Sequence, residues 1–224
     1  MRQTILILLC LLAFAPISNV LGQKFSHKEL YDQDFAFTDG LYLTKDDFKN
    51  NKPIEKSQIN SNIDPTDLSY FEHLVENKRI SLFDKVGNEI TIESDKVFGF
   101  CNDGTVYINY NGTFSRMGII GSICHFLGTK TIFHNATPYM GMYGYYRPVY
   151  HQPTTSQEPQ QYFYEFDTGK ILEYTSDSME HLLQADPELH DEFTDLSKKK
   201  RNAKLFYYMR KFNEKHPLYV PVYE

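Results

Sequence analysis

Residues 96–127, KVFGFCNDGTVYINYNGTFSRMGIIGSICHFL, read as three consecutive β-strands joined by two tight turns. Residues 97–101 lead into Asn102-Asp103-Gly104, residues 105–110 into Asn111-Gly112, and a long apolar third strand follows. Asp-Gly and Asn-Gly between apolar runs are strong hairpin signals, because both residues accept the positive φ of primed turns. In the middle strand Val106, Ile108 and Tyr110 alternate with Thr105, Tyr107 and Asn109, the period of two expected of a half-buried strand. Gly118 and Gly121 interrupt the third strand, and glycine inside a strand marks a bulge or bend. The predicted fold is α+β and mostly β: a twisted antiparallel meander sheet or small open barrel, finished by a C-terminal helical segment.

Outward from this stretch, residues 79–83 and 89–92 read as a hairpin leading into the meander, for about five antiparallel strands in sequence. Thr44 and Asp47 form a capping-box pair ahead of a short helix that Pro53 stops, and residues 68–76 keep helical spacing. On the C-terminal side, residues 161–167 and 170–174 make a second hairpin. Ser176 or Asp177 caps a short helix, and Asp186-Pro187 is an N-cap followed by proline in the first turn. Residues 197–215 read as one longer helix whose stripe of Leu205, Tyr208, Met209 and Phe212 docks on the rest. The division this suggests is a signal peptide at 1–22, a loose N-terminal arm at 23–38, a β-rich domain at 39–175 and helices at 176–224 packing on that domain.

Met1 to Gly22 has the form of a cleaved secretory signal: Arg2, a short apolar core, then modest residues before Gln23. Its apolar run is shorter than the roughly 20 residues a bilayer-spanning helix needs. Export to the periplasm or beyond is therefore expected, with no transmembrane segment. Beyond Gly22 stand 22 basic and 29 acidic residues, a net charge of −7 that argues against nucleic acid as a partner. Cys101 and Cys124 remain there, in a compartment that permits disulfides. At the ends of the first and third strands of a flat meander they would be about 9–10 Å apart, too far for a bridge unless the sheet curls. A disulfide and two buried free thiols are both open readings.

Two features suggest partner binding. Residues 128–160 read as a long loop carrying Tyr139, Tyr143, Tyr145, Tyr146 and Tyr150 among glycines, and tyrosine offers large rigid contact area with few rotors. Lys198, Lys199, Lys200 and Arg201 open a helix that also holds Lys204, Arg210, Lys211 and Lys215, suited to weak contact with an acidic surface such as phospholipid headgroups, lipopolysaccharide or an acidic partner, though charge runs are ordinarily solvated faces. No cofactor motif, metal-ligand spacing or catalytic motif is present; Glu165 and Asp167 share a strand face, and Cys124 and His125 point to opposite faces.

Three phrases, DGLYLTKDDFKNNKP (39–53), GFCNDGTVYINYNGTFSRMG (99–118) and LFYYMRKFNEKHPLY (205–219), resemble a group of uncharacterised exported proteins of Bacteroidota. The resemblance implies bacterial export and supplies no activity. The function expected is a non-catalytic envelope or secreted module that binds an unknown protein, glycan or envelope partner. A hydrolase acting on an envelope polymer and a small-ligand carrier are the alternatives.

Overall fold

A computed structural model describes residues 25–84, 86–134 and 154–223. The expected signal peptide and the five tyrosines between Tyr139 and Tyr150 lie outside the described residues. Both central turns form as their dipeptides require. Between β6 (Gly99–Asn102) and β7 (Thr105–Tyr110), Asp103 and Gly104 have φ of +48° and +68°; between β7 and β8 (Thr113–Ile119), Asn111 and Gly112 have +53° and +79°.

The expected long third strand is two strands. After β8 the chain reverses at residues 120–122 and returns as β9 (Ile123–His134), with a register shift between Met117 and Ile119 around Gly118. Gly121 sits in this reversal because Asn213 occupies the space a side chain would fill. The Asn213 amide brackets the start of β9, its Nδ2 donating to the Ile123 carbonyl and its Oδ1 accepting from the Ile123 N–H, both at 2.8 Å.

Residues 128–160 also depart from expectation. Gly128 to His134 belongs to β9, and Thr154 to Gln160 to β10 (Thr154–Glu165), paired along a twelve-residue antiparallel ladder. The sheet is completed by β11 (Ile171–Glu173) on one edge and β2 (Gly40–Tyr42) on the other, giving the order β11-β10-β9-β8-β7-β6-β2. The hairpin of β4 (Arg79–Phe83) and β5 (Glu89–Glu93) forms, but joins β3 (Ile59–Asn60) in a separate three-stranded sheet.

The large sheet curls without closing, as the packing of α1 (Lys45–Lys49) shows. The ring of Phe48 lies 5.4 Å from that of Tyr42 on β2 and 6.4 Å from that of Tyr164 on β10. Those strands are five positions apart in the sheet, which in a flat sheet is about 24 Å. The Thr44–Asp47 capping box starts α1 as the residues foretell. Lys45 donates to the Thr168 carbonyl at 3.0 Å and Lys49 pairs with Asp167, so the helix bridges the open seam.

Alternation then sorts the side chains into three cores. Tyr42, Cys101, Val106, Ile108, Cys124, Phe126, Tyr162 and Tyr164 face inward around Phe48, with Phe37 and Val220. Phe163 and Ile123 face outward beneath the C-terminal helices. At the other end Leu41 and Phe100 face outward against the small sheet and α2 (Tyr70–Glu76). Residues 25–38 are bound rather than loose: β1 (Phe25–Leu30) pairs with β12 (Tyr219–Tyr223), and Phe37 is buried in the inner core.

The helical segment is α3 (Ser176–Leu183), capped by Thr175; α4 (Pro187–Thr194), capped by Asp186; α5 (Lys198–Ala203); and α6 (Leu205–Lys215). The single helix expected over 197–215 breaks at Lys204, whose φ and ψ of −113° and 14° leave the helical region. Leu205, Tyr208, Met209 and Phe212 form the buried stripe. Among the described residues no helix is long and apolar enough to cross a membrane.

Candidate interaction surface

The clusters that most resemble catalytic groups are occupied in holding elements together. Asp167 pairs with Lys49 across the open seam, and Glu165 accepts from the Thr168 hydroxyl within the β10–β11 turn. Asp186 is buried and accepts from His216 and Lys215 while capping α4. Ser122 lies nearby but donates to the backbone carbonyl of His216 at 2.6 Å. The imidazole Nε2 is taken up by Asp186, so these residues do not align as nucleophile, base and orienting acid.

Cys124 faces the inner core and His125 the outer face, as strand alternation requires. Both Cys101 and Cys124 are free thiols, buried and separated by three positions in the sheet. They donate to the carbonyls of Phe37 and Gly121, and burial pushes both thiols up, Cys124 to about 12. No group of three metal-ligating side chains occurs among the described residues.

The eight cations of residues 198–215 divide into two sets. Arg201 turns inward: its guanidinium meets Glu180 at 2.6 Å and lies 5.9 Å from the ring of Phe193. Lys211 pairs with Glu192, and Lys215 spans Asp186 and Glu188 at 2.9 and 2.6 Å. Lys198, Lys199, Lys200, Lys204 and Arg210 are exposed, with no ion-pair or hydrogen-bond partner among the described residues. The sequence places Arg201 with the three lysines; the structure gives it a packing role and leaves the lysines in solvent.

On the same segment, next to Lys204, begins a strip of partly exposed aromatic side chains. Tyr207 is 52% exposed, with the ammonium groups of Lys204 and Lys211 at 5.5 and 6.0 Å from its ring. Phe206, 40% exposed, stacks edge-on against His125 at 4.8 Å and lies 5.1 Å from Tyr174. Burial lowers the His125 pKa against the opposing bond from Gln161, which favours the neutral ring. Leu127, 55% exposed, follows His125 on the same outward face of β9. Sequence reading misses this strip, although Phe206 and Tyr207 carry a signal: they stand off the apolar stripe, on the side of the helix that should be polar.

The strip lies inside a stretch with a recognisable signature. A family model matches residues 40–216, from β2 through His216 just past α6. The chain belongs to the family of unknown function DUF6563. No curated protein and no solved structure matches it. The DUF6563 span includes both halves of the strip, the outer face of β9 and helices α5 and α6, and excludes the β1–β12 ribbon. Chemically the strip offers unpaired positive charge next to half-exposed rings, an arrangement that attracts anions without supplying a nucleophile or a metal site.

Proposed function

We propose that this DUF6563 chain is an exported, non-catalytic binding module of the cell envelope or secreted space, with α5 and α6 as its contact surface. The signal-like start, Arg2 followed by a short apolar core, supports export. The observation that carries the binding reading is the retention of five exposed cations with no ion-pair or hydrogen-bond partner among the described residues, on the segment that also exposes Tyr207 and Phe206, in a chain whose formal charge is −6. Neighbouring Lys211 and Lys215 show that acids on α4 can reach this helix, so the free cations are left for a partner.

The hydrolase and carrier readings gain no support. The carboxylates that would serve a hydrolase hold a lysine, a turn hydroxyl and a helix end, and the inner face that would hold a carried ligand is filled by Phe37, Phe48, Phe126, Tyr162 and Tyr164.

The test is salt-dependent retention of the Gln23–Glu224 protein on a matrix bearing polyglutamate, compared with a K198E/K199E/K200E variant. Retention by the parent, abolished in the variant at unchanged melting temperature, supports the reading. Equal elution of both overturns it. Expression of the full chain in a bacterial host tests export: a periplasmic or secreted product beginning at Gln23 is expected, and an uncleaved cytoplasmic product contradicts it.

A further inference from the structure

We propose that the α5–α6 face docks on an anionic phospholipid bilayer, with the free lysines over the headgroups and the exposed rings at the interface. The inference rests on the binding reading above and names its partner. Three observations select a bilayer. Of the eight cations from Lys198 to Lys215, Arg201, Lys211 and Lys215 are paired with acids of the neighbouring helices, and the other five, exposed and without an ion-pair partner among the described residues, leave local positive charge on an acidic chain, so its field turns this face toward a negative surface. The unpaired cations run along two successive helices rather than converging on one point, which suits an extended anionic plane better than a discrete acidic group. Tyr207 is half-exposed with the Lys204 ammonium 5.5 Å from its ring, and an amphipathic tyrosine ring flanked by lysine is a side chain that favours the headgroup boundary.

Each lysine near an anionic surface strengthens partitioning about fivefold. Reversing Lys198, Lys199 and Lys200 to glutamate is therefore expected to weaken it by at least about a hundredfold.

The experiment is sedimentation of the Gln23–Glu224 protein with vesicles of phosphatidylcholine alone and of phosphatidylcholine mixed equally with phosphatidylglycerol. Binding to the mixed vesicles only, lost in high salt and in K198E/K199E/K200E, is the expected result. A control variant, K78E/K96E/K170E, carries the same charge change on exposed lysines elsewhere and keeps binding. Tyr207→Ser weakens binding severalfold without altering its salt dependence. If both triple variants lose binding equally, overall charge and not this face is responsible, and the inference fails. If the parent ignores all vesicles but is still retained by polyglutamate, the bilayer is wrong while the binding surface stands. If it ignores both, the two readings fall together.

Discussion

The imidazole Nε2 of His216 lies 2.7 Å from Oδ2 of Asp186, joining the residue after α6 to the residue that starts α4. Lys215 reaches the other carboxylate oxygen at 2.9 Å, and the Leu189 N–H donates to it at 3.2 Å. The Asp186 side chain is only 5% exposed, and burial alone would raise its pKa. The bonds from His216, Lys215 and Leu189 outweigh that and hold it at about 2, below the ordinary 3.8.

The pH dependence follows from the sign of that shift. A depressed carboxylate stabilises the fold above its ordinary pKa, and the contribution is lost as pH falls through the folded value. Melting temperature should therefore decline from about pH 4 toward about pH 2. Asp186→Asn keeps an N-cap residue but removes the charge. It should melt several degrees lower at neutral pH and decline less steeply below pH 4. An unchanged acid limb in the variant would show that other carboxylates control it.

Phe48, more than the ion pair beside it, should hold the open seam of the sheet. Its ring contacts those of Phe37, Tyr42, Phe98 and Phe166 at 4.8 to 5.5 Å. Phe48→Ala should cost about 3–5 kcal/mol in urea unfolding. Lys49→Ala removes the pair with the exposed Asp167 and should cost no more than about 1 kcal/mol. The reverse order would mean that charge closes the seam.

Gly99 and Gly112 should differ in what a methyl group does. At Gly99 an added Cβ runs into the backbone carbonyl of Tyr107 on the paired strand, which cannot move without breaking the ladder. At Gly112 the space is open but φ is +79°, so alanine pays only the left-handed cost of about 1–2 kcal/mol. Thermal melting should place Gly99→Ala below Gly112→Ala.

The buried thiols predict slow chemistry. With burial disfavouring the thiolate at both sites, the folded Gln23–Glu224 protein should react with an aromatic disulfide reagent only after unfolding, then titrate two thiols. Two thiols should be found with or without prior reduction. None without reduction would reveal a bridge.

Features with local causes were legible in the chain. Asp103-Gly104 and Asn111-Gly112 carry their turn conformations in two residues each, Thr44 and Asp47 close their capping box within one turn, and Leu205 to Phe212 show their stripe by spacing alone. The mostly β, α+β architecture agrees with that reading. What sequence could not show depends on residues far apart. The β8–β9 reversal is held by Asn213, 90 or more positions away, and the order imposed on residues 25–38 by strand β12 and the inner core. The ribbon from Gly128 has its register written in polar residues whose alternation lacks hydrophobic contrast, so a loop and a strand look alike until the partner strand is known. The candidate surface shows the same division: eight cations are plain in the sequence, but which are free is decided by Glu180, Asp186, Glu188 and Glu192 on α3 and around α4. Ion pairing is a matter of distance in space, and only the packing of the helices sets it.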